Sequence, residues 1–168
     1  MKNNISDKHI KPTFKTILEK KFIGKSITMS LTDNKTFQLF RDFMPNRNLI
    51  SNAVSADIFD IKVYPLDYYT RFDPTAQYEK WALLEVPDFS KIPNGMKPFT
   101  LEGGLYAIFH YKGLNTDTRI FQYIFKTWLP NSNYELDSRP HFEILGVNYK
   151  NNDPNSEEDI YIPVKLKP

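Results

Sequence analysis

Cysteine is absent from the 168 residues. That excludes disulfides, thiolate metal sites and a cysteine nucleophile together. Glycine is scarce, with 6 residues. The pair Gly103-Gly104 is no phosphate loop, because no helix opens directly after it and no Gly-Lys-Ser/Thr follows. No GxSxG nucleophile elbow occurs. Charge of one sign is missing too: 22 Lys+Arg face 20 Asp+Glu, a formal net charge of +2. With no dense Lys/Arg stripe, direct nucleic-acid binding is not expected. No apolar run approaches the length of a membrane span, and the opening MKNNISDKHIKP has no apolar signal core. These features predict a soluble cytoplasmic protein without membrane contact, of a length that suits one domain.

What the chain has in quantity is aromatic surface. It carries 13 Phe and 10 Tyr, enough for a core and for a lined cavity besides. The 3 histidines are scattered; His141 shares a strand face with Glu143, but no tight ligand motif surrounds it, so no metal and no cofactor are expected.

Residues 1–12 read as a flexible polar arm. Two strands are predicted around Thr16–Leu18 and Phe22–Leu31. Asp33 or Asn34 can cap a helix running to Met44, where Pro45 closes it. Asp57–Tyr64 alternates as a strand, with Phe59, Ile61 and Val63 on one face and Ile58, Asp60, Lys62 and Tyr64 on the other. Tyr78–Val86 is a further strand. Pro87–Pro98 is a crossover, after which strand, helix, strand and strand recur: Leu105–Tyr111, an amphipathic helix from Thr118 that Pro130 ends, Phe142–Val147 and Ile160–Leu166.

The two halves match in detail. Phe40-Arg41-Asp42-Phe43-Met44-Pro45-Asn46 aligns with Phe125-Lys126-Thr127-Trp128-Leu129-Pro130-Asn131. With two deletions in the loop, Phe59-Asp60-Ile61 falls on Phe142-Glu143-Ile144. The pattern predicts an internal duplication and an α+β fold. Two strand–helix–strand–strand units, covering about residues 13–90 and 99–168 of one domain (13–168), share an antiparallel sheet. Both main helices cover one face, and the other face, carrying Asp60 and Glu143, bends into a groove. A carboxylate centred in an apolar strand is expensive to bury unpaired. Glu143 therefore lies on a wet face or awaits a positive partner.

The segments IPNGM (Ile92–Met96), GGLYAIFHYKG (Gly103–Gly113), TWLPNSNYEL, HFEIL and DIYIPVKL (Asp159–Leu166) resemble the GyrI-like effector-binding family. That family includes the ligand-binding domains of AraC-type and MerR-type multidrug regulators, together with standalone relatives. The resemblance implies a duplicated α+β unit with a small-molecule groove. It further implies that the acid of the Phe-Glu strand, here Glu143, receives cationic aromatic ligands, and that the helix-ending tryptophan is Trp128. The family commonly places a tyrosine two residues beyond that acid, where this chain has Leu145, which implies a drier groove floor. The short segment before Phe14 leaves no room for a helix-turn-helix, so a standalone member is expected.

The expected ligand-binding set is then Glu143, Trp128, Tyr106, Tyr64, Asp60, Leu145 and Tyr161, with Tyr68 and Tyr69 as further candidate lining residues. Trp128 and the tyrosines supply stacking and cation–π surface, and the acids supply charge. The expected function is a non-enzymatic sensor or sequestering protein for cationic or lipophilic aromatic compounds. Two alternatives follow from the resemblance. One is hydrolysis of strained cyclopropane-bearing compounds. The other is a protein-interaction role with gyrase or a regulator as partner.

Overall fold

The structure, a computed structural model, describes residues 10–168. Most of the arm expected over residues 1–12 therefore lies outside the described residues. The elements are β1 (Thr13–Ile17), β2 (Lys20–Met29), α1 (Thr36–Phe43) continued by a 3-10 helix (Met44–Leu49), β3 (Ile58–Val63) and β4 (Tyr78–Val86). The second half holds β5 (Lys97–Leu101), β6 (Gly104–Lys112), α2 (Arg119–Tyr123), β7 (Tyr134–Leu136), β8 (His141–Leu145) and β9 (Glu157–Leu166). Helix α2 runs on through a π-helical turn (Ile124–Trp128) into a last α turn (Leu129–Asn131).

All strands join one antiparallel sheet ordered β1-β6-β9-β8-β3-β4-β2-β5, with β7 alongside β9. The order is a palindrome in roles: β6, α2, β8 and β9 repeat β2, α1, β3 and β4, and β3 meets β8 at the centre. There Asp60 is the register partner of Glu143. This is the expected α+β architecture of two strand–helix–strand–strand units. Strands β5 and β7 were not expected. Pro98 hid the first, yet β5 is an edge strand paired only with β2, where a missing N–H is tolerated.

The helices do not stop at their prolines. Pro45 sits at the start of the 3-10 segment and Pro130 at the start of the last α turn, positions where an N–H is not required. The next residue then reaches back four positions with its side chain. Asn46 Nδ2 donates to Asp42 O at 2.8 Å, and Asn131 Nδ2 donates to Thr127 O at 2.7 Å. The same Pro-Asn device closes both halves.

Both helices lie on one face. Leu39 and Phe43 of α1 pack on Ile23, Ile58, Ala82, Leu84 and Leu145. Ile120 of α2 and Ile124 of its π turn pack on Ala107, Phe109, Tyr111, Ile160 and Ile162. The opposite face is a second core of Phe22, Phe59, Ile61, Trp81, Leu83, Tyr106 and Phe142. No helix covers it. Instead the two-residue links Leu18-Glu19 and Glu102-Gly103 tie strands from opposite ends of the order together, so the sheet curls around its own apolar face. Gly103 permits that closure, since a Cβ there would stand 2.6 Å from Ile17 O.

The position of the acids differs from expectation. Asp60 and Glu143 face the helices, because Ala82, Asp60, Glu143, Ile160 and Phe109 are register neighbours in one row. Helix α1 has 8 residues, about 12 Å at 1.5 Å per residue. Helices this short cover the two ends of the sheet and leave its centre between them. The acid-bearing gap is thus flanked by the helices, and the far face is packed solid.

Candidate functional site

Strand alternation builds the site. On β3, Asp60 and Lys62 point into the gap between the helices; on β8, His141 and Glu143 do; on β4, Lys80; on β9, Glu158. Their repeat positions pair off, Asp60 with Glu143 and Lys80 with Glu158, so one half has exchanged an ammonium for a carboxyl.

The charges form a continuous row. Lys80 Nζ lies 3.3 Å from Asp60 Oδ2 and donates to Thr36 Oγ1 at 3.1 Å. Lys62 Nζ lies 3.6 Å from Asp60 Oδ1 and donates to Glu143 Oε1 at 2.7 Å. Glu143 in turn lies next to Glu158, whose carboxyl feels its charge. These are buried groups: Asp60 is 6%, Lys80 7% and Glu158 8% exposed. Asp60 Oδ1 accepts no hydrogen bond.

Two protonation states follow from the geometry. Burial first, then the charge of Glu143, push the Glu158 carboxyl up to about 9. Near neutrality the neighbouring Glu158 and Glu143 carboxyls therefore hold on to a proton that a solvated glutamate would release. Burial first, then the Lys62 charge, push His141 down to about 3, so its imidazole is neutral. For Lys62 burial acts to lower the pKa, but Asp60 and Glu143 outweigh it and hold the ammonium well above its usual value. Along the row, Lys80 and Lys62 thus flank Asp60, and Lys62 also answers Glu143.

Rings close the row from above. Tyr64 lies 4.4 Å from Tyr68, 5.1 Å from Tyr69, 4.9 Å from Tyr78 and 5.0 Å from His141 between centroids. Tyr69 stacks on Phe125 at 5.3 Å and on His141 at 5.4 Å, and is hydrogen-bonded to Tyr64. Tyr69 remains 42% exposed, so it is an outer cover. Two clefts, of about 390 Å³ beside Tyr68 and Arg71 and about 310 Å³ beside Arg47 and Ile50, do not reach Glu143. Beside the acids, the tyrosine rings pack on one another and on His141.

Of the seven residues singled out from sequence, Glu143, Asp60 and Tyr64 come together here. Leu145 is on their face but packs in the core under α1. Tyr106 and Tyr161 are on the opposite face: Tyr106 is fully buried with its hydroxyl on Pro140 O at 2.8 Å, and Tyr161 stacks on Phe142 at 4.3 Å. Trp128 is half-buried at the far end, against Phe109, Phe14 and Tyr134. Alternation explains each displacement, since Tyr106 and Tyr161 have the parity of Phe142 rather than of Glu143. Sequence reading missed the roles of Lys62, Lys80, Glu158 and His141. Lys62 is on the Asp60 face in the sequence, with nothing there to pair it to Glu143, and Glu158 precedes the strand predicted from Ile160, although β9 begins at Glu157 and stepping back by two from Ile160 reaches it.

A profile for the integron-associated effector-binding proteins, Cass2, matches residues 13–164. No curated protein sequence matches the chain. Among solved structures, SAV2435 bound to tetraphenylphosphonium is similar with a TM-score of 0.65 at 15% identity, over 92% of this chain and 93% of that one. The C-terminal domain of EcmrR is similar with a TM-score of 0.68 at 13% identity, over 93% and 98%. A hydrolase from Listeria innocua gives 0.58 at 13% identity, over 93% and 92%. At such identities these structures share the fold alone. The described residues include no helix long and apolar enough to cross a membrane. The match over nearly the whole sequence settles the family: the chain belongs to Cass2, the integron-associated effector-binding proteins.

Proposed function

We propose that the protein binds an aromatic small-molecule effector in the gap between α1 and α2, over Asp60 and Glu143, in the manner of a sensor or a sequestering protein. The observation that carries this is a buried charged row flanked by a cluster of tyrosines. A core built for stability alone would be better served by apolar side chains, because desolvating charged pairs offsets their attraction. A ligand that lifts Tyr68 and Tyr69 away would meet flat ring surfaces on Tyr64, Phe125 and His141, and polar groups at the floor. That the similarly folded SAV2435 holds tetraphenylphosphonium supports an aromatic guest, whether uncharged or a delocalised cation.

Calorimetric titration with tetraphenylphosphonium and with uncharged triphenylphosphine oxide tests the site. Tyr64→Ala should weaken whichever probe binds by about 10-fold, since stacking and cation–π contact contribute on the order of 0.5–2 kcal/mol. Glu143→Gln should weaken the cation more than the neutral probe. Affinities untouched by both substitutions would place binding elsewhere.

One observation favours hydrolysis as a second reading. Glu158 and Glu143 are neighbouring carboxyl groups, with burial and the charge of Glu143 raising the pKa of Glu158, and acid–base catalysis uses such a pair when one member donates a proton and the other accepts it. Turnover of a strained cyclopropane substrate, abolished by Glu158→Gln, would establish it.

A further inference from the structure

Lys62 is the residue that a simple cation-receiving site should not contain. Its ammonium sits 2.7 Å from Glu143 Oε1 and 3.6 Å from Asp60 Oδ1, with the side chain 13% exposed. It is tethered on β3 two residues from Asp60, on the same face and beside Glu143, so β3 delivers it to the position a cationic ligand would take. Lys80 already neutralises Asp60 from the other side, at 3.3 Å. Each of the two register-paired acids, Asp60 and Glu143, thus already has a tethered ammonium beside it.

From this arrangement we propose that Lys62 sets the charge selectivity of the site: it is a built-in cation that biases the pocket toward uncharged aromatic ligands. The inference rests on the binding site proposed above and adds to it the class of ligand. A cationic guest would have to take Glu143 from Lys62, and the displaced ammonium would stay near the new charge or move into water. An uncharged guest needs only to lift the tyrosines and leaves the ion pairs intact. Selectivity is a difference between two affinities, and an element that repels one candidate sets it as surely as one that attracts the other. The raised pKa of Lys62 agrees, because Asp60 and Glu143 outweigh its burial.

The test uses the full chain and the same two probes, tetraphenylphosphonium and triphenylphosphine oxide, against wild type, Lys62→Met and Lys62→Arg. Removing the tethered charge should raise the affinity for the cation at least 10-fold and change that for the neutral probe less than 3-fold. Lys62→Arg keeps the charge and should retain the wild-type preference. If Lys62→Met does not fold by circular dichroism, the double variant Asp60→Asn, Lys62→Met restores the charge balance and carries the same comparison. An equal gain for both probes would make Lys62 a steric plug, and no gain for the cation would also overturn the proposal, while binding to wild type would leave the site itself standing. Absence of binding by either probe to any of the proteins removes the site, and the inference with it.

Discussion

At the scale of single residues, Glu158 and His141 make folding depend on pH in opposite senses. Glu158 has its folded pKa raised to about 9 by burial, then by Glu143, so the native state keeps a proton that the unfolded chain releases. That stability is complete below the ordinary glutamate pKa, about 4.3, and is lost as pH rises through about 9. His141 is lowered to about 3 by burial, then by Lys62. Its contribution is complete above about 6.5 and is lost as pH falls through about 3. Between the two ordinary pKa values the slopes oppose each other. From about pH 6.5 to 9 Glu158 acts alone among the two, and one proton corresponds to at most about 1.4 kcal/mol per pH unit. Urea denaturation across that range should show stability falling with pH, and Glu158→Gln, which copies the protonated form, should flatten the decline. An unchanged slope would mean that Glu158 is ionised in the native state. None of this was legible before folding, because alternation assigns Glu158 a face and says nothing about which carboxylate stands opposite.

At the scale of elements, the helix ends carry the clearest mark of repetition. The Pro-Asn pair after α1 and in the last turn of α2 was readable as a stop signal, and the structure turns it into a continuation with a side-chain bond to the carbonyl four residues back. Asn131→Ala removes one such bond, and stability should fall by about 0.5–1.5 kcal/mol. Asn46→Ala should cost a similar amount, and the double variant should show the sum, since the two sites share no partner. Chemical denaturation of the three variants checks this; strong non-additivity would show that the two ends are coupled through the sheet. The tryptophan of the same π turn was read correctly as belonging to the apolar face of the helix. It faces Phe109 and the aromatic edge of β1 and β7 rather than Glu143, because that helix face meets the outer strands.

At the scale of the whole molecule, the sheet order places β3 against β8 at the centre, and residues 64–77 span the gap between the helix-covered ends. Leu66 and Phe72 in that segment are 87% and 83% exposed, and Thr32 N donates to Pro74 O at 3.1 Å. If ligand entry lifts Tyr68 and Tyr69, saturating a bound probe should increase the rate of chymotryptic cleavage within residues 64–77. Protection of the segment would instead mean that it closes over the ligand. Tyr69→Ala should open the roof without ligand and raise cleavage of the free protein.

The fold class, the repetition, the amphipathic helices and the equivalence of Asp60 and Glu143 are all legible in the amino-acid order. All of these are written in local periodicity and in motifs a few residues long, which a chain carries whether or not it is folded. Which sheet face the helices take, that Tyr106 and Tyr161 fill a core instead of a site, and that Lys62 answers Glu143 from 81 positions away emerge with the folded sheet. Those choices are made by long-range pairing. A curled sheet buries one face without help and leaves the other to the helices, and a buried charge takes its partner from whichever strand the register sets beside it.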